Sequence, residues 1–172
     1  VPDAGAVYDW SISAPQDFWP AVWQFCGLIG DGPGSIHAGP QSWTSSWFPD
    51  ARLNFAENLL RFRDDRDAIV SWDERGRRRT LSYAELHEEV SRVARALHAL
   101  GIQPGDRVAG FLPNIPETII ATLAAAWLGA VWSSCSPDFG TQAVLDRLGQ
   151  IEPRVLFAAD GYRYAGKELD VR

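Results

Sequence analysis

Six groups of residues in this chain are of types that do chemistry. The first is a lysine: fifteen arginines accompany a single lysine, Lys167. It closes the run DGYRYAGK, residues 160–167, which reads as a polar aromatic loop. The second is the loop Ser136-Pro137-Asp138, which follows a buried apolar run and carries a hydroxyl and a carboxylate outward. Arg75, Arg77, Arg78 and Arg79 form the basic cluster, an arrangement that binds anions or simply tips a solvated hairpin. Charge runs usually face water, so the hairpin tip is the expectation. His87 and His98 have ligand chemistry but no third ligand at metal spacing, which predicts two surface histidines and no metal site. Residues 30–34, GDGPG, lack the preceding strand and the Lys-Ser/Thr pair of a phosphate loop, and read as a turn. Cys26 and Cys135 are far apart and each lies among apolar neighbours, the pattern of buried thiols in a reducing compartment.

Positioning such groups takes a scaffold, and residues 105–140 supply its centre. Residues 107–112 form a short apolar run between a Gly-Asp turn and Pro113. Residues 117–128 are uncharged after Glu117 and rich in Ala and Leu, with Gly129 placed as a helix C-cap. Residues 130–135 are a second buried run. Strand, helix, strand at this length predicts a parallel pair joined by a crossover. Ligands of open parallel sheets sit beyond the carboxyl ends of the strands, which singles out loops 113–116 and 136–141.

The flanks follow the same logic. Ser13-Ala14-Pro15 predicts a helix start with Ser13 as N-cap. Phe18, Trp19, Val22, Trp23 and Cys26 then fall on one helical face, as an aromatic stripe that buries area. Four of the eight tryptophans (Trp10, Trp19, Trp23, Trp43) lie in the first 43 residues. Residues 47–60 predict a turn and a short amphipathic helix with Asn54 as its cap. Residues 68–72 and 78–81 predict a hairpin joined by residues 73–76. Ser82 and Glu85 make a capping box for a helix with Leu86, Val90, Val93, Ala94 and Leu97 on one face. Thr141 opens another helix, and residues 154–158 give a third short strand. The fold class predicted is α/β: a three-layer unit with a parallel sheet core and crossover helices, preceded by a helical Trp-rich lead-in and a β-hairpin. The domain division expected is 1–60 for the lead-in and 61–172 for the α/β part.

Composition narrows the function. The 172 residues are 46% apolar, which suits a folded domain. A net charge of -6 argues against nucleic acid as a partner. Residues 118–137 hold twenty residues without a charge, but Gly129, the serines and Pro137 break them into a buried helix and a buried strand, which removes the membrane reading. No secretory leader pattern opens the chain. The absence of methionine leads to the expectation that Val1 is not the native initiator.

Ordered motifs carry a resemblance. LSYAEL (81–86), GIQPGDRVAGFLPNIPE (101–117) and LGAVWSS (128–134) resemble the acyl-adenylate-forming (AMP-binding) synthetases. WFPDARLNFAENLL (47–60) is similar to the acetyl-CoA synthetase branch. WSSCSPDFG (132–140), VLDRLGQIEPRVLF (144–157) and DGYRYAGK (160–167) look like the members of that branch that act on acetoacetate. The resemblance runs from Trp43 onward. It implies a cytoplasmic ligase using ATP, magnesium and CoA, with acetoacetate as the acid and an acyl-adenylate as intermediate. It also implies that this stretch is the N-terminal portion, since the family's phosphate loop, its adenine and ribose motifs and its mobile C-terminal domain are not in it. No catalytic residue is therefore expected here, and the stretch by itself is expected to be inactive and poorly soluble.

What the resemblance places here is part of a CoA site. Tyr164-Ala165-Gly166-Lys167 aligns with a tetrad that contacts the CoA nucleotide and has arginine at both ends. Lys167 keeps a charge for the 3′-phosphate without arginine's fork, Tyr164 offers a ring to adenine, and Arg163 is positioned in sequence to replace the missing cation. Ser136, Pro137 and Asp138 align with residues beside the adenine, where a carboxylate is a poor neighbour for phosphate. The alternatives are another short-chain acyl-CoA synthetase, a non-catalytic CoA- or nucleotide-binding module, and an interaction domain with exposed aromatics in residues 10–25.

Overall fold

The structure, a computed structural model, describes residues 3–34 and 46–171. The chain divides into two compact units, Val1–Asn54 and Phe55–Arg172.

In the first unit, helix α1 (Ala4–Ser13) is opened by the Asp3 carboxylate, which accepts the Ala6 N–H at 2.8 Å. Helix α2 (Pro15–Cys26) starts with Pro15 in its first turn, as expected, but Ala14 is the cap residue and no side chain caps it. Ser13 instead ends α1, its hydroxyl donating to the Asp9 carbonyl at 2.6 Å. Ser13 is still part of α1 and its hydroxyl is turned back onto that helix, so the non-helical residue that precedes α2 is Ala14. The aromatic stripe exists as edge-to-face pairs: Trp10 on Phe18, Phe18 on Trp19, Trp19 on Trp47 and Trp23 on Phe48. Trp23 is its buried member. Cys26, expected to be buried, is exposed at the helix end, where Gly27 turns the chain into the left-handed region. Trp43 lies outside the described residues.

The second unit opens with helix α3 (Phe55–Leu59), directly after Asn54. Strands β1 (Asp67–Asp73) and β2 (Gly76–Ser82) form the expected antiparallel hairpin. Its arginines are each tied to a carboxylate: Arg75 and Arg78 to Asp73, Arg77 to Asp67, and Arg79 to Glu117 and Glu89. The capping box is present, with Ser82 and Glu85 each accepting the other's backbone N–H, and opens helix α4 (Tyr83–Ala99).

The centre is a parallel sheet of β3 (Arg107–Phe111), β4 (Val131–Cys135) and β5 (Val155–Ala158), in the order β4-β3-β5. Helix α5 (Pro116–Trp127) joins β3 to β4, and α6 (Thr141–Gly149) joins β4 to β5. Successive residues of β3 face opposite sides of the sheet. Val108 enters the larger core with Leu86, Val90 and Leu97 of α4 and Ile120, Leu123 and Ala124 of α5. Ala109 enters a smaller one with Cys135 and Leu148 of α6. The result is the predicted three-layer α/β arrangement, with helices on both faces of a parallel sheet. Loop 113–116 is the entry to α5, and the Ala-rich run is core scaffold: Ala121, Ala124 and Ala125 are buried in it.

Two expectations are corrected here. Residues 160–167 are not a loop: β6 (Gly161–Tyr164) and β7 (Lys167–Asp170) pair antiparallel as a two-stranded hairpin. The alternation Tyr-Arg-Tyr is strand-like, and Ala165-Gly166 makes the turn. His87 is half-buried rather than fully at the surface: it packs edge-on against Trp127 at 5.5 Å, with Nε2 shielded and without a partner among the described residues. That shielding, with Arg63 nearby, holds its pKa below the ordinary imidazole value. His98 is exposed.

Candidate functional site

Loop 136–138 leaves the carboxyl end of β4, the position that parallel sheets use for ligands. Ser136 donates its hydroxyl to Asp138 Oδ2 at 2.8 Å, and the Tyr162 hydroxyl donates to Asp138 Oδ1 at 2.5 Å. One carboxylate thus joins the loop to β6. The Tyr162 bond, then the Ser136 bond, holds the Asp138 carboxyl below the usual carboxylate range. The same bond, with some burial, pushes the Tyr162 hydroxyl up. Pro137, between the two polar residues, is buried, and with Phe111, Phe139, Val144 and Leu145 it lines a hollow of about 440 Å³.

The register of the β6–β7 hairpin decides which side chains share a face. Tyr164 lies opposite Lys167 and Tyr162 opposite Leu169. Residues two apart along a strand share a face, so Tyr162, Tyr164 and Lys167 stand together, and Tyr162 aligns that face with Asp138. Tyr164 and Lys167 are exposed there, an open ring beside an open cation. Arg163 is on the opposite face, opposite Glu168 and ion-paired with it. Sequence adjacency had made Arg163 the replacement cation; strand alternation turns it away from Lys167. Arg75, Arg163 and Glu168, together with Tyr162 and Leu169, line a second hollow of about 450 Å³.

Ala165 and Gly166 both have positive φ, 50° and 74°, the pattern of a two-residue type I′ turn. Their N–H groups donate to the two oxygens of Glu74, at 2.5 and 2.7 Å. Glu74 sits at the tip of the β1–β2 hairpin.

The candidate residues therefore divide into groups. Ser136, Asp138, Tyr164 and Lys167 are brought to one region through Tyr162. Ala165 and Gly166 form the turn between them, Pro137 is buried below, and Arg163 is directed elsewhere. Tyr162 and Glu74 were not singled out from sequence. The Tyr-x-Tyr alternation was the available signal for Tyr162. Glu74 had none, since it meets its partners 91 and 92 residues away in the chain.

No helix among the described residues is long and apolar enough to cross a membrane. Among the described residues there is also no group of three or more His, Cys, Asp or Glu placed to hold a metal ion.

Comparison with known proteins agrees with this architecture. The chain is 50% identical over 170 residues to the acetoacetyl-coenzyme A synthetase of Rhizobium meliloti (strain 1021), covering 98% of this chain and 26% of that protein. It is 39% identical over 175 residues to the malonamoyl-CoA synthetase of Penicillium aethiopicum, covering 94% of this chain and 24% of that protein. The solved acetoacetyl-CoA synthetase from Streptomyces lividans superposes with a TM-score of 0.90 at 43% identity, over 99% of this chain and 27% of that one. The chain thus spans about a quarter of the length of the curated relatives it matches. Residues 55–171, nearly the whole second unit, match the family model described as AMP-binding enzyme, and the chain belongs to that family.

Proposed function

We propose that this chain is the N-terminal part of an AMP-forming acid–thiol ligase whose acid is acetoacetate. A carboxylate oxygen of acetoacetate attacks the α-phosphorus of ATP, pyrophosphate leaves, and acetoacetyl-AMP forms. The sulfur of CoA then attacks the acyl carbon, AMP leaves, the thiol proton is lost, and acetoacetyl-CoA is the product. Magnesium bound with ATP would supply screening of phosphate charge, and none of the described residues of this chain is assigned to hold it. The observation that carries this reading is the likeness, across almost the whole chain, to proteins named for acetoacetyl-CoA synthesis. We place the reaction in the cytoplasm, in keeping with Cys26 and Cys135 not being joined in a disulfide.

Within that reaction we assign residues 1–60 to the lead-in and 61–172 to the first part of the adenylate-forming domain. The exposed face of the β6–β7 hairpin takes the nucleotide end of CoA. Lys167 meets the 3′-phosphate and Tyr164 stacks on the adenine, supported by their cross-strand register. Ser136, Pro137 and Asp138 form the neighbouring wall, and Ala165 and Gly166 let the backbone come close. The ionised Asp138 keeps phosphate towards Lys167 and away from loop 136–138. Arg163 contributes through Glu168 to the hairpin itself.

The test uses the full-length ligase. Lys167→Ala should raise KM for CoA about tenfold and leave KM for dephospho-CoA and for ATP unchanged, as expected for one charge-assisted phosphate contact. An equal effect on CoA and dephospho-CoA would remove Lys167 from the phosphate. A second acid specificity is favoured by one observation, the malonamoyl-CoA synthetase among the relatives. Turnover measured with acetoacetate, malonamate and acetate separates the two, and turnover of malonamate without acetoacetate would sink the acetoacetate assignment.

A further inference from the structure

We propose that Glu74 is a positioning residue for the coenzyme face: its carboxylate clamps the turn of the β6–β7 hairpin and thereby sets the spacing of Tyr164 and Lys167. The proposal rests on reading that face as the CoA site. Three observations carry it.

The hairpin lacks the usual support. Among the described residues, β6 and β7 pair only with each other and join neither the parallel sheet nor β1–β2. An isolated two-stranded hairpin is marginal in water. Its turn is also costly, because Ala165 holds a positive φ that a side chain disfavours. Something outside the hairpin must fix it.

Glu74 has the geometry to do so. One oxygen accepts from Ala165 N–H and the other from Gly166 N–H, so both turn amides are taken by one carboxylate. Hydrogen bonds to an ionised acceptor are stronger than neutral ones. The bidentate grip also fixes orientation, since rotating the turn breaks one bond or the other.

The group that grips is itself held. Asp73, beside Glu74, accepts the Arg75 N–H at 2.7 Å and the Arg78 guanidinium at 2.6 Å, locking the tip of β1–β2. The base of the β6–β7 hairpin is tied separately, by Tyr162 to Asp138 and by Val171 N–H to the Asp160 carbonyl. With both ends anchored, Tyr164 and Lys167, the residues flanking the turn, have a fixed separation.

The experiment uses the full-length ligase with Glu74→Gln and Glu74→Ala, each read two ways. Hydrogen exchange of peptides spanning 161–170 reports the clamp directly, and steady-state kinetics with CoA, ATP and acid reports its consequence. Exchange at the turn should speed up about tenfold in Glu74→Ala, with a smaller change in Glu74→Gln. KM for CoA should rise about five- to tenfold while KM for ATP stays unchanged. Unchanged exchange in both variants overturns the clamp. Faster exchange with KM for CoA unchanged, while Lys167→Ala still raises it, overturns the positioning role alone. A fall in KM for CoA also overturns it, because the carboxylate would then be competing with the coenzyme. If Lys167→Ala leaves KM for CoA unmoved, the assignment of the face fails instead, and the exchange result still judges the clamp.

Discussion

Tyr162 joins the two halves of the candidate site through one hydroxyl, and that bond has a pH signature. Hydrogen bonding depresses the Asp138 carboxyl below its ordinary 3.8. A depressed folded-state pKa contributes stability that is present above the unfolded value and lost as pH falls through the folded one. Tyr162 behaves in the opposite sense. Its raised pKa contributes stability that is present below the ordinary 10.0 and lost as pH rises through the folded value. Tyr162→Phe should therefore move the Asp138 carboxyl up towards 3.8 and flatten the loss of hairpin protection on acidification through that region. Carboxyl carbon NMR of Asp138 measures the first effect, and an unmoved titration would show that Ser136 alone orders the carboxylate. The residue types at 136, 138, 164 and 167 were visible as candidates. Which of them meet was not, because neither strand alternation in 161–164 nor the reach of Glu74 was recognised. The alternation in 161–164 is masked by polar residues and glycine, which read as loop.

At the scale of elements, the β3–β4 pair depends on one absent side chain. A Cβ at Gly110 would lie 2.6 Å from a ring carbon of Trp132, on the neighbouring strand. Trp132 is partly buried, packs against the larger core and tilts over Phe157 at 6.1 Å, so moving its ring would disturb those contacts. Gly110→Ala should destabilise the fold by about 1–3 kcal/mol, the usual range for overpacking, with a shift in tryptophan emission. Urea unfolding of the variant checks this, and unchanged stability would mean that the ring moves freely. Trp132 thus packs, partly buried, on the edge of the larger core. Helices α4 and α5 were legible because a capping box, an apolar face and a glycine stop are local signals. Helix α1 was not legible because, although Asp3 is an ordinary cap, its sequence lacks a one-sided apolar stripe.

At the scale of the molecule, β4 and β5 are both edge strands of a three-stranded sheet. Val131 on β4 and Leu156 on β5 are about half exposed. Open parallel edges with apolar side chains invite pairing between copies. The 172-residue chain by itself should therefore self-associate at micromolar concentration, and light scattering against concentration tests it. A monodisperse chain that melts in one cooperative step would contradict the expectation. The sequence by itself determined the α/β class, the order of strands and helices, the family resemblance and the list of polar candidates. Those depend on local periodicity, caps and short motifs, which neighbouring residues write into the chain. Only the tertiary structure decided that β3 is the central strand, that residues 161–170 are a hairpin, that Arg163 faces away from Lys167, and that Glu74 holds the turn. Each of those is a pairing between distant segments. Register and side-chain direction exist only once two strands, or two hairpins, have met.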